Sequence, residues 1–462
     1  MNLATLQRTA FSTSRLLDFV SEKELTLQCG FGSQDWPLVA VKELIDNALD
    51  ACEEQGIAPE IAVILDEGVL TVEDNGAGIP PQVVDALLDF SVRVSSREAY
   101  VAPDRGAQGN ALKTIVAMPF VLDGEEGRIE IVGGGVQSEI AFSVDRIHQR
   151  PVADVSRSVK PGSLVRVHWP PKTSSVKLGS LGSVHLPPEA SYDGSPRARF
   201  LQEEGLVQRI RTLCEDFTFL NPHLTLNLDL LGEVFRIEAT SPHSEKWKPS
   251  SPTPPHWYEP QHLERLVGAN VTHNGSAHRT VREFVSEFKG LSSTLKQKAV
   301  LAEVGLARAP LSSLIAGRDF DHDRIACLLE AMKAQAKPVA PRALGTIGRT
   351  HLSARFTELG IRKGSFEYNE VQGFDDDGLP QVTEVAFAAL EDQSAGRRLI
   401  TGVNWSAAWV NPFRVLGDYG TSLDTLLTER RFERHRPIAL LVHVAHPRVQ
   451  YSDRGKSTVL AR

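Results

Sequence analysis

Three short stretches in the first quarter of the chain constrain its fold more strongly than any other feature of the sequence. They are residues 43–51 (ELIDNALDA), 74–79 (DNGAGI) and 105–109 (RGAQG). Each is a weak signal alone, but in this order and spacing they predict one nucleotide pocket made of a helix, a strand end and a glycine-rich loop. The sequence has no phosphate loop of the G-x-x-x-x-G-K-[ST] type, so the predicted pocket does not depend on one.

The first stretch is predicted to lie on an amphipathic helix, because apolar residues recur at helical spacing over residues 39–55. Glu43, Asn47 and Asp50 follow one another at steps of four and three, so we expect them to share one face of this helix. A carboxylate can hold and deprotonate a water molecule, and a carboxamide oxygen suits Mg²⁺. For this helix taken alone, a solvated acidic face is the simpler interpretation.

The second stretch is predicted to begin at a strand end. Residues 60–73 read as two strands around a hairpin turn at 66–68 (DEG), and Asp74 follows the second strand. A carboxylate at this place can accept a hydrogen bond from an exocyclic amine, and Gly76 and Gly78 allow the backbone to approach a flat ring. A plain Asn-Gly turn is the alternative interpretation.

The third stretch precedes an apolar run at residues 111–122, which predicts a glycine-rich loop that opens a helix. Such a loop offers backbone N–H groups and the positive end of the helix dipole to phosphates. Arg105 and Lys113 would add positive charge to it.

Together, the three stretches resemble the N, G1 and G2 boxes of the GHKL ATPases, the family of gyrase B, the heat-shock chaperones, MutL and the histidine kinases. Within that family they resemble the B subunits of topoisomerase VI. The resemblance implies that Glu43 is the general base, Asn47 the Mg²⁺ ligand and Asp74 the residue that reads the adenine of ATP. The further nucleotide-binding residues it implies are Asp50, Gly76, Gly78, Ile79, Arg105, Gly106, Gln108, Gly109, Lys113 and Ser163. Where the family usually has another glycine, two residues after Gly109, this chain has Ala111.

The resemblance also implies a multidomain α+β architecture with a Bergerat-type α/β sandwich as its ATPase domain. The implied parts are an ATP-binding domain with an N-terminal dimerisation arm at 1–238, a Pro- and Ser-rich linker at 239–257, a small helix–two-turn–helix-like domain at 258–337 and a ribosomal-S5-like α/β transducer domain at 338–462. Composition supports the linker, because Pro and Ser are enriched there and aliphatic residues are few. A Pro- and Ser-rich stretch at 171–198 predicts an exposed insertion in the first domain.

Near the end of the chain, Lys456 follows the apolar stretch 440–445. In the family, a lysine of the transducer domain reaches the terminal phosphate of ATP, and Lys456 is the expected counterpart. The family's transducer continues into a long helix that docks the cleaving subunit, whereas six residues follow Lys456 here. A surface lysine without such a role is the alternative.

Composition is that of an ordinary globular protein. The 462 residues suggest two to four domains, with 41% hydrophobic and 23% charged residues. No apolar run approaches the length of a membrane span, so no membrane association is expected. Four widely separated cysteines predict reduced thiols in a cytoplasmic protein.

The formal net charge of −8 argues against a chain that coats DNA indiscriminately. A local basic patch is compatible with that charge, and the alternative is a solvated basic face with no partner. The candidate DNA-binding residues are Lys289, Lys296, Lys298 and Arg308.

From the resemblance we expect an ATP-hydrolysing B-type subunit of a type IIB topoisomerase-like complex. It would be an ATP-dependent homodimeric clamp on duplex DNA that controls a separate, A-type cleaving subunit with a catalytic tyrosine. The alternatives are the ATPase subunit of a topoisomerase-derived defence nuclease, and a nucleotide-gated clamp or scaffold with little hydrolysis. A histidine kinase is disfavoured because no histidine precedes Glu43, and a MutL-like repair ATPase is disfavoured by the helical insertion.

Overall fold

The computed structural model describes residues 16–90, 99–105, 111–170, 204–248, 250–272, 279–416, 420–452 and 458–461. Within this part of the chain, a large mixed sheet with helices is followed by a mostly helical region and then by a smaller mixed sheet. The predicted insertion at 171–198 lies outside the described residues.

The first region contains five described helices and eight described strands. They are α1 (Glu22–Cys29), α2 (Trp36–Gln55), β1 (Glu60–Asp66), β2 (Val69–Asp74), α3 (Pro81–Leu87), α4 (Ala111–Asp123), β3 (Gly127–Gly133), β4 (Val136–Asp145), β5 (Arg150–Val159), β6 (Ser163–His168), α5 (Glu204–Leu220), β7 (Thr225–Leu230) and β8 (Glu233–Ile237).

The eight strands form one sheet in the order β5-β4-β3-β6-β2-β1-β7-β8. Only the β1–β7 pair is parallel among these described neighbours. α4 packs on β3, α2 on β1 and β2, and α5 on β7, so the helices follow the order of the strands beneath them. The result is a two-layer α/β sandwich around a shared apolar core.

Local sequence explains the elements that carry the site. In β1, Ile61, Val63 and Leu65 alternate into the core, as expected for a half-buried strand. The hairpin to β2 turns at Glu67 (φ 45°) and Gly68 (φ 85°), where two successive positive φ values match the twist of the strands. The predicted hairpin is therefore confirmed, and so is the helix predicted over 39–55, which is the larger part of α2.

The second region is mostly helical, as the sequence pattern predicts. Its elements are α6 (Pro260–Thr272), α7 (Val281–Ser286), α8 (Thr294–Glu303), β9 (Ile315–Ala316), β10 (Asp319–Phe320) and α9 (His322–Gln335). The preceding segment packs against its surroundings at Trp247. The ring centres of Trp247 and Trp257 are 4.6 Å apart and their planes are tilted by 53°, and the Trp247 backbone N–H donates to the carbonyl of Leu344 at 2.9 Å.

The third region contains α10 (Arg349–Glu358), β11 (Glu367–Phe374), β12 (Pro380–Ala389), β13 (Arg398–Val403), β14 (Ser406–Ala407), β15 (Val415–Leu416), α11 (Leu423–Glu429), β16 (Ile438–Ala445) and β17 (Leu460–Ala461). Within the described residues, five of these strands form a sheet in the order β11-β12-β16-β13-β14, in which β13 and β16 are parallel. The sequence pattern predicts strands over 381–391 and 438–444, and both predictions are confirmed.

The sequence pattern predicts a helix over 420–431. The observed helix α11 is shorter, because the side chain of Ser422 accepts from the N–H of Thr425 and so caps its start. None of the helices in the described residues is both long enough and apolar enough to span a membrane.

Candidate functional site

Asp74 ends β2, and its carboxylate is fixed from two sides. The Ser163 hydroxyl donates to Oδ2 at 2.5 Å, and the Gly76 N–H donates to Oδ1 at 2.8 Å. The β2–β6 register sets Asp74 directly opposite Ser163. Burial raises the pKa of Asp74 above its ordinary value, although the hydrogen bonds from Ser163 and Gly76 lower it in part. The sequence-predicted partners Asp74, Gly76 and Ser163 are thus brought together.

The loop after Asp74 packs too closely for side chains at two positions. Gly78 has a φ of 69°, and a Cβ there would lie 2.7 Å from the Gly133 Cα. A Cβ on Gly76 would lie 2.9 Å from the Asp74 carboxylate and 3.7 Å from the Ala51 Cβ of α2. The loop backbone therefore lies against α2 on one side and the β3–β4 turn on the other. Ile79, which follows Gly78, packs against the core.

Glu43 and Asn47 lie on the open side of α2. The Glu43 side chain is 25% exposed, and Asn47 is exposed. Ala51 lies four residues after Asn47 on the same face of α2, and it is next to Gly76. The helix face that bears the predicted base and metal ligand therefore runs toward the loop that follows Asp74.

Asp50 lies two helical turns after Glu43 and on the same side of α2, as its spacing predicts, but it is not open to a ligand. It is buried, and the Arg105 guanidinium donates to its Oδ1 at 2.6 Å, which corrects the expectation that its carboxylate contacts the nucleotide. Arg105 also holds Glu53 through two bonds of 2.8 and 2.7 Å, and its side chain is fully buried. The expectation that the Arg105 side chain contacts phosphates is therefore corrected as well, because its guanidinium lies inside an ion cluster.

Sequence reasoning missed this cluster, which is centred on Glu53. His223 and Lys246 reach the Glu53 carboxylate at 2.9 and 2.7 Å, and Arg105 donates to the Asn221 side-chain oxygen at 2.5 Å. Burial opposes the charge of Glu53, but Arg105 and Lys246 hold its pKa well below the ordinary value. The one signal in the sequence is the polar Asn-Pro-His run at 221–223, which directly follows the helical pattern of α5.

Among the remaining predicted phosphate contacts, the structure describes Lys113, which does not lie at an open face. Lys113 on α4 is buried and donates to the carbonyl of Asp89 at 2.5 Å, and burial lowers its pKa. Other predicted residues lie outside the part of the chain that is described: Gly106, Gln108, Gly109 and Lys456.

The candidate DNA-binding residues lie in the helical region. The ammonium of Lys289 lies 4.5 Å from the centre of the Trp247 ring, and Lys296 donates to the carbonyl of Gly290 at 2.9 Å. Lys298, on α8, and Arg308 are exposed. The lysine–tryptophan contact joins the helical region to the segment that precedes it.

Comparison with known proteins identifies the first region. Residues 32–172 match the family model described as histidine kinase-, DNA gyrase B-, and HSP90-like ATPase. The B subunit of type 2 DNA topoisomerase 6 from Halobacterium salinarum is 43% identical over 110 residues, covering 22% of this chain and 13% of that protein. The protein of the same name from Metallosphaera sedula is 24% identical over 452 residues, covering 91% of this chain and 75% of that protein.

A solved structure described as the N-terminal domain of a DNA repair protein covers 91% of this chain and 87% of its own, with 11% identity and a TM-score of 0.37. The residues matched by the family model include Glu43, Asn47, Asp74 and Ser163. Residues 32–172 therefore form a domain of the histidine kinase-, DNA gyrase B- and HSP90-like (GHKL) ATPase family, and the chain is similar to the B subunits of type 2 DNA topoisomerase 6.

Proposed function

We propose that this chain is a Mg²⁺-dependent ATPase subunit that binds ATP between α2 and the loop after Asp74. One observation carries the proposal: the carboxylate of Asp74, fixed by Ser163 and Gly76, lies at the end of the helix face that bears Glu43 and Asn47.

The Asp74 carboxylate suits recognition of an adenine amino group. A carboxylate offers about four lone-pair sites, of which Ser163 and Gly76 use two, so it can accept a further N–H bond. The lack of a side chain at Gly76 and Gly78 lets the loop backbone lie against a flat ring. Arg105, in this proposal, supports the pocket by anchoring α2 through Asp50 rather than by binding phosphate.

Glu43 and Asn47 on α2 are suited to act at the phosphates of ATP. Mg²⁺ is commonly held by one or two protein oxygens together with phosphates and waters, so the exposed carboxamide of Asn47 fits as its protein ligand. Bound there, the ion would neutralise charge on the phosphates. Glu43, one helical turn away, would take the proton from the attacking water.

The test compares nucleotide binding and turnover in single variants. Glu43→Gln should retain ATP binding and lose turnover by about 10²–10⁴-fold, the usual contribution of a general base. Asp74→Asn should lose binding, because the amide has one acceptor oxygen and one NH2 donor, whereas Ser163, Gly76 and the adenine amine are all donors to the two carboxylate oxygens. Glu54→Gln, on the exposed side of the same helix, is the control. Turnover by Glu43→Gln at the wild-type rate would show that the base is another residue.

The larger role is proposed from the names of the relatives. We propose a cytoplasmic B-type subunit of a topoisomerase-like complex, in which the helical region corresponds to a helix–two-turn–helix domain and the third region to a transducer that carries Lys456. ATP would close a homodimer on duplex DNA, and closure would control an A-type cleaving subunit. The proposed DNA contacts are Lys289, Lys296, Lys298 and Arg308.

A topoisomerase subunit, a defence-nuclease subunit and a clamp or scaffold differ in the DNA reaction that ATP binding and hydrolysis would drive. With its cleaving partner, a topoisomerase would relax supercoiled DNA, whereas a defence nuclease would leave it cut. A clamp or scaffold would bind ATP and DNA with little hydrolysis, for which Ala111 at the start of α4 is the relevant departure from the family. These three functions can be distinguished by incubating supercoiled DNA with this chain and its purified cleaving partner, resolving the DNA on a gel and measuring ATP turnover in parallel.

A further inference from the structure

A hydroxyl of the third region reaches the helix that carries the proposed base. Ser406, on β14, donates to Oδ2 of Asp46 at 2.7 Å, although 360 residues separate them in sequence. Both side chains are buried, with 7% and 3% of the residue surface exposed. Asp46 lies on α2, three residues after Glu43 and next to Asn47 in sequence, so this contact joins the third region to the helix that bears the proposed base and metal ligand.

The same Asp46 oxygen also binds Lys42, and Lys42 connects it to Glu43. The Lys42 ammonium lies 2.8 Å from Asp46 Oδ2 and 3.4 Å from Glu43 Oε1. The other oxygen of Asp46 has no hydrogen-bond partner among the described residues, and its distance to the Arg105 Nε is 4.0 Å. The position of Asp46 therefore depends on Lys42 and Ser406.

Ser406 is itself held rigidly by the third region. It follows a tight turn in which Asn404 and Trp405 have φ values of 49° and 63°. The Asn404 side chain forms two hydrogen bonds to the backbone of His446, of 3.0 and 2.8 Å, and the Trp405 N–H donates to the His443 ring at 3.2 Å. The hairpin that bears Ser406 is thus fastened to β16 and to the residue that follows it, so movement of that sheet relative to α2 displaces Ser406.

We propose that Ser406 is a positioning residue for ATP hydrolysis, acting through Asp46 and Lys42 on the carboxylate of Glu43. This inference rests on the proposed function. Without the Ser406 hydroxyl, the buried Asp46 carboxylate keeps only Lys42 as a hydrogen-bond donor, and both side chains shift. The ammonium then no longer holds Glu43 in its place, and small displacements of a catalytic group cost rate steeply. Placement of the third region against α2 would in this way set the rate of turnover.

The first measurement is steady-state ATP turnover by the full chain and by three variants. Ser406→Ala should lower kcat about tenfold and leave KM for ATP within about twofold, since the adenine contacts at Asp74 are untouched. Ser406→Thr, which keeps the hydroxyl, should restore most of the rate. Ser365→Ala is the matched control, because it removes a serine hydrogen bond to Arg362 and Ala389 within the same region, away from α2.

A double-mutant cycle tests the route through Lys42. If Ser406 acts through Lys42, adding Ser406→Ala to Lys42→Met should lower kcat little further. If the two residues act independently, the fold-losses in kcat of the two single variants should multiply in the double variant. Multiplying effects, or Ser406→Ala at the wild-type kcat, would overturn the inference while leaving the ATPase proposal in place. Equal losses in Ser406→Ala and Ser365→Ala would also overturn it, because they would indicate general destabilisation. A wild-type chain that binds ATP without turnover would overturn both the ATPase proposal and the inference about Ser406.

Discussion

Nδ1 of His443 lies 3.1 Å from Oε2 of Glu384, and neither side chain is exposed to solvent. The Trp405 N–H donates to the other ring nitrogen of His443, so Nδ1 carries the proton and donates to Glu384. Glu384 also accepts from the N–H groups of Ile347 and Gly348. One buried carboxylate thus joins the start of the third region to β12, β16 and the hairpin at Ser406.

Glu384→Gln should destabilise the protein by about 3 kcal/mol, because an amide replaces a charged acceptor that several buried donors share. The measurement is the free energy of unfolding in urea. Glu391→Gln is the control at an exposed position and should change that energy by less than about 0.5 kcal/mol. Equal values for the two variants would mean that the buried carboxylate contributes no stability.

Acid should destabilise the protein through the same group. Burial opposes the charge of Glu384, but bonds from His443, Ile347 and Gly348 bring its pKa below the ordinary value of 4.5. A group whose pKa is lower in the folded state contributes stability above its unfolded pKa and loses it as pH falls through the folded value. We therefore expect the melting temperature of the wild type to fall below about pH 4.5, and that of Glu384→Gln to fall less steeply.

Arg105→Lys should destabilise the protein by about 3 kcal/mol, because lysine cannot reproduce the bonds to Asp50 and the paired bonds to Glu53 in a buried site. Urea unfolding gives the value. Arg128→Lys is the matched change at an arginine whose side chain is 64% exposed, and it should be nearly neutral. If Arg105→Lys were also neutral, the cluster would not be a structural anchor of α2.

Comparing Gly78→Ala with Gly135→Ala separates the cost of backbone strain at positive φ from the cost of a steric clash of the added Cβ. Both glycines have positive φ, 69° and 79°, but an added Cβ meets the backbone of Gly133 at position 78 and nothing within 4 Å at position 135. Gly135→Ala should cost about 1 kcal/mol, and Gly78→Ala about 3 kcal/mol or more. Thermal unfolding of the two variants measures the difference. Similar costs would show that the loop after Asp74 can move away from the β3–β4 turn.

Local pattern was sufficient for the elements that form the candidate site. Apolar spacing predicted the helix that carries Glu43 and Asn47, and the turn signal at 66–68 predicted the hairpin that ends at Asp74. These features depend on residues within a few positions of one another. Spacing placed Asp50 on the same side of the helix as Glu43 but could not show that it is buried, because Arg105, which covers it, is 55 positions away in sequence.

Residues close together in the chain are enough to predict the helix, the hairpin and the glycine loop after Asp74, since periodicity and turn chemistry act over short distances. The pairing of Arg105 with Asp50 and Glu53, and the bond from Ser406 to Asp46 across 360 positions, are visible only in the folded chain. Contacts of this kind form where packed elements meet. Their partners depend on how the sheets and helices pack, which no local pattern encodes.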